Sequence, residues 1–343
     1  MLVAMENRKL VVANASTQKG CFTCPACNQK VYLRRGTIKI AHFAHTKGAD
    51  CVASEGETRE HLLGKKQLYN WAKQHHFEPV YEVYLPKIKQ RPDLLIKING
   101  QSVALEYQCS PISLQRLQER NVGYHKLKMP VWWILGSPYQ DRHLTASKVA
   151  QFTQLIFNKF DLLFWSTGKR KFMNGENYLY VDFCQPKHAA PRQVVVQQTK
   201  RIEQQIMAGN QRLLPIVQQC YQAGHLFVGI PIVGHHIDKQ WPCTLYGLTI
   251  WQTQVLLALE KVKFYHQWSL ENWFAWLNQI APEQWLTFPC LLPIDQVKLK
   301  YLKEFTIQLQ KHQIITVNTC VCYINSPKWF NDSLSKINYI NQH

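Results

Sequence analysis

Two spacings of apolar residues recur along this chain, and they divide it. In "PVYEVYLP" (Pro79–Pro86), "RPDLLIKI" (Arg91–Ile98), "QSVALEYQ" (Gln101–Gln108) and "VWWIL" (Val131–Leu135) the apolar positions are dense or alternate, as in half-buried or buried strands. Asn99-Gly100 joins the second and third, the pair favoured in a type I′ hairpin turn. Helical spacing is expected from Glu57 to about Gln74 and again after Ser113, a suitable N-cap. A further helix is expected over Ala146–Lys159 and a strand over Asn177–Phe183. "CQPKHAAPRQ" (Cys184–Gln193) holds two prolines and no period, which marks a linker. Beyond it, four stretches such as "TIWQTQVLLALEKVKFY" repeat the helical pattern. The first 52 residues read as short strands and turns with clustered Cys and His. The expectation is an α/β protein: a small knuckle and hairpin over 1–53, an α/β core over 54–183, a linker over 184–193 and a mainly helical domain over 194–343.

Several polar residues break this pattern where a core should lie. By strand alternation Asp93 shares a face with Leu95 and Lys97, and Glu106 with Ala104 and Gln108. Pro92 carries no N–H, so the ladder begins or breaks at Asp93. Two carboxylates on adjacent strands repel unless a cation lies between them. Oxygen ligands of this kind suit Mg2+ or Mn2+, which lowers the pKa of a bound water and stabilises charge on a phosphate. The competing reading is that Asp93 caps a strand and Glu106 pairs with a Lys or Arg. On the preceding helix, Ser54-x-x-Glu57 has capping-box spacing. Glu57, His61 and Lys65 then fall at i, i+4 and i+8, on one face with Leu68 and Ala72. Ionisable groups on an inward stripe are costly unless paired, so they either reach solvent at the helix end or line a site. Glu60 lies beside the stripe. In the second core helix Arg116, Arg120 and Tyr124 form a similar stripe that would suit a phosphate backbone.

Charge narrows the partners. The chain has 343 residues with 40 Lys plus Arg against 22 Asp plus Glu, a net charge of +18, which favours nucleic acid. No apolar run approaches the roughly 18 residues of a membrane helix, and the start lacks the pattern of a signal peptide, so no membrane partner is expected. Most of the eleven cysteines are scattered singly among apolar residues, as reduced thiols of a cytoplasmic protein are. The exception is Cys21–Cys51. There Cys24-Pro-Ala-Cys27 offers two thiolates to one tetrahedral ion, and a hairpin can return His42, His45 or Cys51 to it. Structural Zn2+ would explain how so small a segment folds. Cys24 and Cys27 anchor the set. His45 and Cys51 are the preferred partners and His42 the alternative ligand, because His42 sits in a strand and points elsewhere.

The order "CPAC", "HFAH", "ETREHLLGKKQL", "RPDLL" and "ALEYQCSPIS" resembles the bacterial competence protein CoiA family, and Pro92-Asp93 followed by Glu106-x-Gln108 resembles the PD-(D/E)xK nuclease superfamily. The resemblance covers about residues 1–140 with distinctive motifs. It implies a zinc knuckle ahead of a PD-(D/E)xK nuclease-like core. It also implies a cytoplasmic DNA-processing role in competence and transformation, acting in recombination of internalised single-stranded or branched DNA, with recombination proteins as possible partners. Carried over, Asp93 and Glu106 match the metal-binding carboxylates and Glu57 the acidic residue of the first helix. Gln108 stands where the superfamily has a catalytic Lys. Gln can hydrogen-bond a water but supplies no charge, so Lys65 is the preferred substitute over Lys97. The resemblance thus implies a divalent-metal-dependent nuclease, or alternatively a non-catalytic DNA-binding recombination accessory that retains the fold.

Overall fold

The computed structural model describes the chain except for residues 15, 19, 37–39, 47–50, 52–56, 141–142, 185–189, 292–294 and 343. Ser54, and with it the expected capping box, and the middle of the expected linker lie outside the described residues. Two compact units emerge, one of Met1–Leu144 and Gln151–Glu176, the other of Thr145–Ala150 and Asn177–His343.

The first unit opens with a five-stranded antiparallel sheet in the order β2-β1-β3-β4-β5, made of β1 (Val3–Glu6), β2 (Lys9–Val12), β3 (Phe22–Thr23), β4 (Lys30–Arg34) and β5 (His42–His45). Its small core holds Phe22, Val31 and Phe43, with the two Phe rings 4.7 Å apart. The α/β core follows: α1 (Arg59–Gln74), β6 (Val80–Tyr81), β7 (Leu94–Ile98), β8 (Gln101–Gln108), α2 (Leu114–Lys126), β9 (Val131–Leu135) and a short α3 (Ser137–Gln140). After α4 (Ala146–Phe152), whose first turn groups with the second unit, come β10 (Gln154–Ile156), β11 (Lys159–Asp161), β12 (Leu163–Ser166) and β13 (Lys171–Met173).

The central sheet runs β13-β12-β9-β8-β7-β6. β6, β7 and β8 are antiparallel neighbours, whereas β8 pairs in parallel with β9, and β9 with β12. A parallel neighbour needs a crossover, and α2 supplies it. Alternation gives the sheet two apolar faces. Leu94, Ile96, Val103, Leu105 and Tyr107 pack with Leu62, Leu68 and Ala72 of α1. The other face carries Glu106 and Trp133 toward α2, where Asn121 Oδ1 accepts from Trp133 Nε1 at 2.8 Å. Gly64 lets α1 approach this closely, since a Cβ there would stand 1.9 Å from the Tyr107 ring.

Three expected elements differ. The helix expected over Ala146–Lys159 stops at Phe152 and gives way to the β10–β11 hairpin, turned at Phe157-Asn158 with both residues at positive φ. Asn177–Phe183 forms a 3-10 turn and isolated bridges instead of a strand. "PVYEVYLP" yields only Val80–Tyr81, because Glu82 takes the left-handed region (φ 49°) and ends the strand.

The second unit is mostly helical: α5 (Pro191–Met207), α6 (Leu214–Gln222), α7 (Leu248–Leu259), then β14 (Gln267–Ser269), α8 (Leu270–Gln279), α9 (Gln296–Lys311), β15 (Ile315–Val317), β16 (Cys320–Tyr323) and α10 (Ser333–Gln342). The three strands form a small antiparallel sheet that the helical pattern did not announce. α7 is buried nearly all round, and its first turn is capped by Asp182, whose Oδ2 accepts from Thr249 N–H at 2.8 Å. Gly247 precedes it at φ 98°, where a Cβ would meet the same carboxylate. No helix among the described residues is long and apolar enough to cross a membrane.

Candidate functional site

Among the described residues of the first unit, two groups of metal-competent side chains form. The first is in the knuckle. The turn between β3 and β4 is closed by Cys24 N–H to Gln29 O at 2.8 Å and Asn28 N–H to Cys24 O at 2.9 Å. Asn28 takes the left-handed conformation that Asn tolerates (φ 58°). Pairing of Val31 with His45 sets the end of β5 beside this turn. Cys27 Sγ lies 3.3 Å from His45 Nε2, and Cys24 Sγ lies 3.9 Å from Cys51 Sγ. The four ligand atoms fall within 4.8 Å of one another. Burial, with Arg91 and the chain's amino terminus, holds the His45 pKa down, so its imidazole is neutral and able to ligate. Three thiol sulfurs and an imidazole are the donor set of structural zinc. His42, the alternative ligand, lies opposite Arg34 at the other end of the pair and turns its Nδ1 to Ile40 O at 2.9 Å, outside the group.

The second group lies where α1 meets the ends of β7 and β8. α1 begins later than expected: Thr58 is the N-cap, accepting from His61 N–H at 3.1 Å, so Glu57 stands just ahead of the helix instead of within it. It still meets the stripe. Glu57 contacts Lys65 Nζ and the Met1 ammonium, with His61 Nδ1 3.7 Å away. Asp93 precedes β7, and its Oδ2 accepts from Tyr107 N–H at 2.8 Å and faces His61 Nε2 at 3.0 Å. Lys65 Nζ is 3.5 Å from Asp93 Oδ1. Ligand atoms of Glu57, His61 and Asp93 lie within 4.8 Å of one another.

One member was missed from sequence. Glu82, 2% exposed, accepts from Leu2 N–H at 2.8 Å and Val3 N–H at 3.4 Å, and pairs with Lys65 and Arg91. Lys65 is therefore a fully buried ammonium among three carboxylates. Burial alone would raise the pKa values of Glu57 and Asp93. Lys65 and the Met1 ammonium for the first, and His61 and Lys65 for the second, instead hold both well below the usual carboxylate range. Burial pulls the other way on the cations, and the carboxylates around them win: His61 and Lys65 are both raised. Glu60, beside the stripe, accepts from Tyr107 OH at 2.9 Å and Ser137 OH at 2.7 Å and so ties α1 to the sheet.

Glu106 lies outside the tight group of Glu57, His61 and Asp93, although the charge of Asp93 acts on it. Extending the β7–β8 register sets Asp93 and Glu106 opposite each other, and both line one cleft with Glu57, His61, Gln108 and Arg116. Their carboxylates nevertheless have separate partners. Asp93 is taken by His61 of α1 and the Tyr107 amide; Glu106, 5% exposed, is bonded by Arg120 Nη2 and Tyr124 OH of α2. Burial outweighs Arg120 and raises the Glu106 pKa. The α2 stripe expected to meet phosphate is turned toward Glu106, with Arg116 and Arg120 both lining the cleft. Arg120 is 8% exposed and Tyr124 is fully buried, because Glu106 draws that face of α2 inward; only Arg116 remains partly exposed, beside Glu119. Gln108 donates its amide to Ser110 O. Lys97 is 59% exposed and pairs with Glu78 at 3.4 Å, so Lys65 is the cation at the cluster.

Residues 57–204 match the family described as Competence protein CoiA, nuclease-like domain, and residues 6–54 match Competence protein CoiA, N-terminal domain. A relative, Competence protein CoiA of Bacillus subtilis (strain 168), is 35% identical over 152 residues, which is 44% of this chain and 38% of the relative. The chain thus matches well under half the length of that relative. No solved structure matches.

Proposed function

Because the chain belongs to the competence protein CoiA family, we propose that it is a DNA-processing protein of competence and transformation, a metal-dependent nuclease acting on single-stranded or branched DNA during recombination. The observation that carries this reading is the convergence of Glu57, His61 and Asp93 in a cleft also lined by Glu106, Gln108 and Arg116. Glu57 and Asp93 would hold the divalent ion, and the imidazole in the set favours Mn2+ over Mg2+. Bound there, such an ion supplies Lewis acidity and a water of lowered pKa. The protein's own groups do the rest. Lys65 supplies the positive charge that Gln108 lacks, and Gln108 orients a water through its amide. Arg116 contacts the phosphate backbone. Arg120 and Tyr124 fix Glu106 from below. Cys24, Cys27, His45 and Cys51 would hold Zn2+ as a structural ion.

The test is to incubate the purified chain with end-labelled single-stranded and branched DNA and Mn2+ or Mg2+. Cleavage by the wild type and none by Asp93→Ala is the expected result. One observation favours a second reading, a DNA-binding accessory that does not cut: each carboxylate of the cluster already has a cationic side chain beside it. Binding without cleavage under either metal would establish that reading in place of the first.

A further inference from the structure

Two grooves adjoin along α1 in the first unit. One, of about 380 Å³, reaches from Arg35, just after β4, to Lys66 of α1. The next, of about 350 Å³, runs from Lys66 past Asn70, Trp71 and Gln74 to Arg170 in the β12–β13 turn. They share Ile40 and Lys66, so they make one channel. No residue lining it also lines the cleft of Glu57, His61 and Asp93. The helix explains the separation. Lys66, Asn70 and Gln74 fall at i, i+4 and i+8, one residue on from the stripe of His61 and Lys65, and a step of about 100° per residue puts them on another face. All three are exposed.

The floor of the channel is fixed. Gln67 of α1 donates to Thr167 O at 3.0 Å and accepts from Trp165 Nε1 at 2.8 Å, which ties the helix to β12 and its turn. Trp71 is partly buried and stands edge-on to Phe172, 4.8 Å between centroids. The turn itself is basic, with Lys169, Arg170 and Lys171 in succession and all exposed.

Charge and shape together select the occupant. Among the described residues lining the channel none is acidic, whereas Arg35, Lys66 and Arg170 are cationic. None of these three has a carboxylate within ion-pair distance among the described residues. Cations gathered without counter-charges repel one another and attract an anion. The span from Lys66 to Gln74 alone is about 12 Å along the helix axis, so the fitting anion is a chain and not a point charge. A duplex is a broad, stiff cylinder that would bridge a recess of this size, whereas one strand can lie in it, its backbone on the cations and its bases free to meet Trp71 and Ile40. We propose that this channel binds the backbone of a single strand of DNA, at a site separate from the candidate metal cluster. The proposal rests on the reading of the chain as a DNA-processing protein and is independent of whether it cuts.

The test is fluorescence anisotropy of labelled oligodeoxynucleotides of about 12 residues, within the span of single-strand sites. Single-stranded and duplex forms are titrated over a salt series without added Mn2+ or Mg2+, so that cleavage plays no part. Lys66→Ala/Arg170→Ala is expected to lower the slope of log K against log salt by about 1.4 for the single strand, each phosphate neutralised contributing about 0.7, and to weaken duplex binding less. Lys200→Ala/Arg201→Ala removes the same charge from exposed positions of α5 and is expected to leave the slope unchanged. Asn70→Asp deletes no cation and adds the charge that the channel lacks. Its binding is expected to be weaker at low salt and to approach the wild type at high salt, where exposed charges are screened. Every substituted side chain is exposed, so Tm is expected to hold in all three variants. An unchanged slope in Lys66→Ala/Arg170→Ala, an equal fall in the α5 variant, equal losses for duplex and single strand, or unchanged binding by Asn70→Asp overturns the channel and leaves the DNA-processing reading standing. Absence of any strand binding by the wild type overturns both.

Discussion

Lys65 is the residue on which the acidic cluster turns. Glu57, Glu82 and Asp93 converge on one buried ammonium, and breaking a buried ion network by removing one partner costs about 3–5 kcal/mol. Lys65→Met is therefore expected to lose that much in urea denaturation, and Mn2+ should restore more stability to the variant than it adds to the wild type. His61 sets the pH response. Its pKa in the folded protein lies above the ordinary 6.5, so its pairing with Asp93 stabilises fully below about pH 6.5 and is lost as pH rises through the folded value. A metal needs the neutral ring, so Mn2+ affinity measured calorimetrically should rise over that same interval. His61→Gln should flatten the rise.

At the scale of elements, the knuckle and α2 make separate demands. Zinc analysis of the purified protein should find one equivalent in the wild type and in His42→Ala, and less than one in Cys24→Ser and His45→Ala, because only the last two remove members of the converged set. On α2, Tyr124→Phe deletes a buried hydrogen bond to Glu106 and should cost about 1–3 kcal/mol while leaving DNA affinity unchanged. Arg116→Ala should weaken DNA binding and leave stability within about 0.5 kcal/mol, as surface changes do. The strands flanking Asn99-Gly100, the N-cap at Ser113 and the Cys-x-x-Cys turn were all legible because each is a local preference. What a face meets is not local. The stripe of Arg116, Arg120 and Tyr124 has the spacing of a surface contact, and only the tertiary position of Glu106 turns it inward. Glu82 was illegible for a related reason: it looked like one polar position of a strand that in fact ends there.

For the molecule as a whole, the net charge of +18 bears on affinity more than on fold. Binding to single-stranded DNA should fall steeply with salt, log K declining by about 0.7 per phosphate neutralised, as measured by fluorescence anisotropy. The presence of an α/β core followed by a helical half was readable from the change of apolar period. The small sheet of β14, β15 and β16 was not, since its strands are three or four residues long, too short to establish an alternation. The gathering of Glu57, His61 and Lys65 was visible as a helix stripe even though the helix begins beyond Glu57. The exclusion of Glu106 from that gathering needed coordinates, because register states which residues oppose and says nothing of who wins each carboxylate.

The absent side chain at position 64 has a reach beyond packing. α1 rests its backbone almost directly on an aromatic ring, and the same helix carries an imidazole and an amine whose usefulness depends on where that ring's strand ends. Gly64→Ala adds a single methyl and alters no charge, yet the helix must lift to admit it. Metal affinity would then drop although every ligand is intact, which makes the spacing between helix and sheet an adjustable dial on the chemistry.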